Sequence, residues 1–268
     1  LLEKYYHYGH SACLRSIITV SYTHLTLEKK IIIISGASRG IGLTLANSLS
    51  MAGAIVIGVG RSKNVNYDFS ENASYFECNL SNHNEFELLC GKIYKKFGSI
   101  DGLVNVAGIS IENIETKDNV KNFTNTVDFN LTSTYAVCNS AHSYIKKSGG
   151  GSIVNITSIG ASISFPNNPG YQSSKAGLRM LSKSLALDYS QDNIRVNNIS
   201  PGYIKTDMTE KSYHDKKLYS QRLARMIIPR WGKTEDLSGA AIFLLSNASS
   251  YVTGTDLIVD GGWMAKGL

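Results

Sequence analysis

From Lys30 to Ser35 the chain passes through four consecutive isoleucines and enters at once a turn that holds three glycines, Gly36, Gly40 and Gly42. A run with no polar side to offer water belongs in the middle of a parallel sheet that is covered on both faces. Ile41, Leu45 and Leu49 then recur every four residues, the spacing of a helix lying on that sheet, up to the break at Ala52-Gly53.

The same alternation continues. Ala54 to Val59 reads as a strand; Phe86, Leu89, Ile93 and Phe97 mark a helix; Ile100 to Val106 is a strand, followed by one long polar helix and a strand at Ser152 to Thr157. Leu178, Leu181 and Leu185 mark another helix, Ile194 to Ile199 a strand, Leu237 to Leu245 a helix and Leu257 to Val259 a last short strand. This repetition predicts an α/β fold, a doubly wound parallel sheet with helices on both faces and right-handed crossovers. Between Gly60 and Tyr75 too few apolar positions occur for a full amphipathic helix, so a loop or a single helical turn is expected there.

No proline-rich linker divides the 268 residues, and residues 29–268 read as one domain. With 43% hydrophobic and 18% charged residues the chain is neither disordered nor fibrous, and no apolar run approaches the roughly 18 residues of a membrane span. The net charge of +6 is spread through the chain without a Lys/Arg run longer than two, which points to an anionic ligand and away from nucleic acid. Cys13, Cys78, Cys90 and Cys138 show no paired spacing and the six histidines form no metal-binding pattern, so no metal site is expected and a reducing cytoplasm fits. Residues 1–28 hold neither helical nor strand period and read as a poorly ordered extension, or else as an arm folded over a neighbouring subunit.

Glycines in a strand-to-helix turn let the backbone approach a phosphate that sits on the helix N-terminus. Ser35-Gly36-Ala37-Ser38-Arg39-Gly40-Ile41-Gly42 has the spacing G-x3-G-x-G, which departs from the G-x-G-x-x-G dinucleotide pattern. Tyr171 and Lys175 stand four apart at the start of a helix and share one face, so an ammonium is expected to lower the pKa of a phenol and make an acid/base pair. Alone, such a pair is most often a solvated helix surface.

In combination these features resemble the short-chain dehydrogenase/reductases: the Gly-rich turn, Asn105-Val106-Ala107-Gly108 at a strand end, Asn130, Ser158 thirteen residues before Tyr171, Lys175, and Pro201-Gly202, in order over about residues 29–262. The resemblance implies a single Rossmann-like domain in which Tyr171 donates or accepts the proton and Ser158 holds the substrate oxygen. It implies that Lys175 serves both Tyr171 and the nicotinamide ribose, with Asn130 supporting the proton relay through a water. Cofactor contacts carried over in the same way are Gly36, Ser38, Arg39, Ile41 and Gly42 at the phosphates and ribose, Asn79 and Leu80 at adenine, and Asn105 and Gly108 along the adenosine. Pro201, Gly202, Ile204 and Thr206 follow at the nicotinamide. Val106 departs from the family's more frequent second Asn.

At the end of the second strand, where NAD users need a carboxylate, this chain has Gly60 followed by Arg61. Arg39 and Arg61 together suit a 2′-phosphate, so the expected cofactor is NADP(H) in preference to NAD. Lys211, Lys216, Lys217, Arg222 and Arg225 give the segment after Thr206 a basic character that fits either an anionic substrate or a solvated helix face. The stretch Pro201 to Thr209, Arg230-Trp231-Gly232 and the segment Gly239 to Ser249 resemble sugar and polyol enzymes, which favours a small-molecule carbonyl or alcohol of the sugar, sugar acid or polyol class. The alternative is a 3-oxoacyl-acyl-carrier-protein reductase, opposed by Gln191-Asp192 where those enzymes often carry a basic residue, although Lys146 and Lys147 remain as candidate docking charges. An idle NADP-binding regulator is opposed by the intact Asn130, Ser158, Tyr171 and Lys175. Family likeness also implies a homo-oligomer, a tetramer, with Gly261-Gly262-Trp263 at a subunit contact.

Overall fold

The computed structural model describes residues 24–63, 72–112 and 118–266. Strand β1 (Ile31–Ser35) leads through the Gly-rich turn into helix α1 (Gly40–Met51), then β2 (Ile55–Gly60), β3 (Ala73–Glu77), α2 (His83–Phe97) and β4 (Gly102–Asn105). Next come α3 (Asn119–Val127), a π-helical turn (Asp128–Thr132), α4 (Ser133–Lys147), β5 (Gly151–Ile156), α5 (Pro169–Asp188) and β6 (Ile194–Pro201). Two short helices, α6 (Glu210–His214) and α7 (Lys216–Ala224), precede α8 (Ser238–Leu245) and β7 (Asp256–Val259). Among the described residues the sheet has seven strands, all parallel, in the order β3-β2-β1-β4-β5-β6-β7.

Strand alternation sorts the isoleucines of β1 into two cores. Ile31 and Ile33 join Phe86, Leu89 and Ile93 of α2, Ile145 of α4 and Leu185 of α5. Ile32 and Ile34 join Leu45 and Leu49 of α1 and Ala241, Leu244 and Leu245 of α8. Both sets are almost wholly buried, which is why the strand needs no polar side. Because β1 connects to β2 on one side and lies against β4 on the other, the strand order reverses at its C-terminal end, and a crevice opens there.

A chain of buried amides crosses this sheet. Asn105 Nδ2 donates to Asn155 Oδ1 (2.8 Å), Asn155 Nδ2 to Ser182 Oγ (2.8 Å), and Ser182 Oγ to Asn198 Oδ1 (2.5 Å). Asn198 Nδ2 donates to Asp256 Oδ1 (2.6 Å), and Asp256 is paired with Arg179 of α5. The register places Asn105 beside Asn155 and Asn155 beside Asn198, so one polar residue from each of three neighbouring strands falls in line.

Two sequence readings need correction or limits. The stretch between Val106 and Ser152 is not one long helix: α3 and α4 are separated by the π-helical turn, and that wider turn directs Asn130 inward. Leu27, placed in the extension by sequence, is fully buried and donates its backbone N–H to Ala52 O (3.1 Å), so the packed unit includes it. Residues 1–23 of that extension, and residues 64–71 of the short crossover after β2, lie outside the described residues.

Candidate active site

Each glycine of the turn after β1 has its own steric reason. Gly36 has φ +72°, and a Cβ there would lie 2.7 Å from the backbone of Ala107, while one at Gly42 would lie 2.1 Å from Gly36 O. Gly40 also has positive φ, yet its nearest neighbour is the Thr206 methyl at 3.7 Å across the crevice. The turn therefore packs tightly against β4 and α1 but leaves the N-terminus of α1 facing Thr206. Arg39 sits at the N-cap of α1 without a side-chain cap bond and with no acidic residue in the first turn, so the positive helix end is uncompensated there. Its guanidinium lies 3.7 Å from Asp207, an exposed contact that links the turn to the segment after β6. These features fit a dinucleotide pyrophosphate at the α1 N-terminus. Ser38 and Ile41 lie in the same turn, partly exposed.

Further along the crevice, Ser35, Leu80, Asn105, Ala107, Phe129 and Thr134 line a small cleft that could hold the adenosine part of a dinucleotide. The Asn105 side chain is engaged with Asn155, so what Asn105 offers at the strand end is backbone. Asn79 is tied into its own loop, its N–H donating to Glu85 and its Oδ1 accepting from Ser81 N. Gly60 ends β2, and a Cβ there would lie 2.7 Å from the hydroxyl of Tyr75 in β3, so a longer side chain at position 60 meets that hydroxyl. The next residue, Arg61, holds its guanidinium 5.2 Å over the Phe129 ring. Tyr75 and Phe129 are not singled out by the sequence: only the register, which pairs Tyr75 with Gly58 of β2, brings the Tyr75 ring to the end of that strand.

The catalytic candidates converge at the other end. Tyr171 lies in the first turn of α5, and its ring and the hydroxyl of Ser158, which follows β5, both border Gly160. Ser158 also caps a short 3-10 turn, accepting from Gly160 N (3.0 Å), so the capping role holds its hydroxyl in place. Lys175, one turn after Tyr171, is buried; its Nζ donates to Ile156 O (2.7 Å) and lies 5.8 Å from the centre of the Tyr171 ring. Asn130 is fully buried: its Oδ1 accepts from Ile109 N (2.8 Å) and its Nδ2 donates to Ile109 O and to Ser174 Oγ. A Cβ on Gly108 would lie 3.4 Å from Asn130 Oδ1 and 3.5 Å from Lys175 Nζ, so this position borders both side chains.

The electrostatics differ from the simple expectation for Tyr171 and Lys175. Burial pushes the Tyr171 phenol above its usual value, opposed only by the Ser158 hydrogen bond, and burial lowers Lys175 to about 8. Desolvation acts on both groups, and Lys175 directs its charge to a carbonyl instead of to the phenol. The arrangement thus keeps Tyr171 protonated, ready to donate to an oxygen that also meets Ser158.

Beyond β6, Gly202 packs against Asp260, where a Cβ would come within 2.7 Å, and Pro201 pairs with Val259 of β7. Ile204 is buried and bridges to Gly232, and Thr206 and Thr209 hydrogen-bond each other to start the segment that leads to α6 and α7. Trp263 is buried against Tyr203 of its own chain (ring centres 4.8 Å apart). Among the described residues no cluster of His, Cys, Asp and Glu is arranged to hold a metal.

Residues 36–264 match a family model described as enoyl-(acyl carrier protein) reductase. The 3-oxoacyl-[acyl-carrier-protein] reductase of Chlamydia pneumoniae is 35% identical, over 89% of this chain and 98% of its own length. The 2-dehydro-3-deoxy-D-gluconate 5-dehydrogenase of Dickeya dadantii is 32% identical, over 90% and 97%. In structure, a gluconate 5-dehydrogenase from Burkholderia cenocepacia in complex with NADP and tartrate superposes with a TM-score of 0.86 at 28% identity, covering 91% of this chain and 99% of that one.

Proposed function

This chain belongs to the short-chain dehydrogenase/reductase family, an oxidoreductase of the CH-OH/C=O pair, and from that premise we propose NADP(H) as its cofactor and a sugar, sugar acid or polyol as its substrate. The observation that carries the chemistry is the convergence of Ser158 and Tyr171 at Gly160 beside buried Lys175, whose Nζ lies 5.8 Å from the centre of the Tyr171 ring. When bound, the nicotinamide supplies or accepts the hydride. Ser158 and Tyr171 donate to the substrate oxygen, and the proton held on the Tyr171 oxygen neutralises the alkoxide as it forms. Lys175 would hold the ribose, and the turn at Gly36 to Gly42 with the N-terminus of α1 would hold the pyrophosphate.

Support for NADP(H) comes from Gly60, which puts no carboxylate at the end of β2, and from Arg61 directly after it, with its guanidinium over Phe129. The sugar reading draws on the gluconate relatives and on a surface detail. Lys146 is paired with Asp192 (2.8 Å), which also contacts His142 (2.7 Å), so one of the two charges counted as a docking site for an acidic carrier protein is neutralised, while Lys147 lies over the Tyr144 ring. The second reading, 3-oxoacyl-acyl-carrier-protein reductase, is favoured by the Chlamydia relative. Buried free thiols at Cys78, Cys90 and Cys138 suit a reducing cytoplasm. Exposed apolar residues on α4 and α5, Tyr135, Met180 and Leu187, suit a homo-oligomer, proposed as a tetramer.

Steady-state kinetics tests the assignment. NADPH should give a higher kcat/KM than NADH, with the ratio falling about tenfold in Arg61→Ala; a preference for NADH sinks the cofactor reading. Turnover of ketogluconates well above that of an acetoacetyl thioester is the expected substrate result, and the reverse ranking selects the acyl reductase.

A further inference from the structure

We infer that Arg222 is the anchor for a carboxylate on the substrate, an inference that rests on the sugar-type reading and narrows it to sugar acids. Arg222 lies in α7, with its guanidinium carbon 4.6 Å over the ring of Tyr203 and 5.9 Å from that of Trp231. Its Nη1 is buried and has no hydrogen-bond partner among the described residues, and the same is true of Trp231 Nε1. Elsewhere Arg230 grips Asp236 with both terminal nitrogens and Arg179 pairs with Asp256, while Arg195 donates to main-chain carbonyls and Arg61 and Arg225 lie over aromatic rings. Arg222 makes no such ion pair among the described residues.

The position of this cluster relates it to the reaction. Ile159, directly after Ser158, belongs to the same apolar group as Tyr203, Trp231 and Leu223 of α7. A Cβ on Gly160 would lie 3.3 Å from Ser158 Oγ, 3.6 Å from Tyr171 Cε1 and 3.0 Å from Phe165, and the Phe165 ring is 6.1 Å from that of Tyr203. A chain of contacts through Phe165 and Tyr203 thus joins the neighbourhood of the catalytic hydroxyls to the guanidinium. Aromatic faces hold a cation in place but accept no conventional hydrogen bond, and a buried donor without an acceptor is costly. The complement to an unpaired guanidinium nitrogen and an indole N–H in one cluster is a group that carries negative charge and only acceptor oxygens. A sugar acid carries that group; a polyol or neutral ketose does not.

The experiment compares wild type, Arg222→Gln and Arg222→Lys with 5-ketogluconate and with fructose as a neutral ketose, and titrates gluconate into the NADP+ complex. Both tryptophans of the chain, Trp231 and Trp263, lie in this cluster, so their fluorescence reports binding directly. The expected result is a rise of about 30-fold in KM for 5-ketogluconate in Arg222→Gln, partial rescue in Arg222→Lys, and unchanged KM for NADPH and unchanged turnover of fructose. The gluconate-dependent fluorescence change should disappear in Arg222→Gln. Equal losses on both ketones, or unaltered gluconate affinity in Arg222→Gln, overturn the anchor while leaving the sugar reading intact. A wild type that reduces only acetoacetyl thioester and shows no response to gluconate overturns both.

Discussion

At the level of single residues, the site is dominated by the cost of taking Tyr171 and Lys175 out of water. The drop of Lys175 from 10.5 to about 8 corresponds to about 3 kcal/mol. The folded chain then binds fewer protons than the unfolded chain between about pH 8 and 10.5, so stability rises with pH through that window and the penalty is fully present below it. Lys175→Met should therefore stabilise the fold at pH 7, flatten that alkaline rise and lower kcat; urea melts at pH 7 and 10 together with activity check all three. Because burial raises the Tyr171 pKa, alcohol oxidation, which needs the phenolate, should accelerate with pH, whereas ketone reduction should stay level until the phenol ionises. Tyr171→Phe should lower kcat by about 10³-fold with little change in Tm, measured by the NADPH absorbance and by thermal melting.

At the level of elements, one turn and one line of amides position the site. The π-helical turn between α3 and α4 buries Asn130 where its amide clasps Ile109 and reaches Ser174, thereby fixing α4 relative to α5. The line from Asn105 through Asn155 and Ser182 to Asn198 ties the C-terminal ends of β4, β5 and β6 to α5, the helix that carries Tyr171. Asn155→Leu leaves the Asn105 amide and the Ser182 hydroxyl each short of a partner, and a loss of about 3 kcal/mol is expected. A lower urea midpoint at unchanged m-value checks it, and an unaltered midpoint would mean that the line contributes nothing to stability. Sequence reading found Asn105 and assigned it to the cofactor, because nothing in a strand's own residues tells that the neighbouring strand places an amide at the same height.

At the level of the whole molecule, the exposed apolar residues Met180 and Leu187 of α5, 65% and 76% exposed, mark the face through which copies of the chain are expected to meet. Light scattering should give a tetramer, and the double variant Met180→Glu/Leu187→Glu should give smaller species that still bind NADPH. The four isoleucines of β1, the glycine spacing that follows and the helix periods determined the parallel sheet, since burial on two faces and close backbone approach are demands that each residue type states for itself. That Tyr171 and Lys175 share one helix face and that Ser158 follows a strand end was likewise legible, because one helical turn and one strand end fix the backbone positions that carry them. What only the tertiary structure decided is which polar groups meet partners: that Lys175 turns to a carbonyl, that Lys146 is paired with Asp192, that the Tyr75 hydroxyl comes beside Gly60, and that Arg222 lies over aromatic rings with no carboxylate partner among the described residues. Those outcomes depend on side chains brought together across the chain, and desolvation and hydrogen-bond satisfaction are properties of the packed neighbourhood.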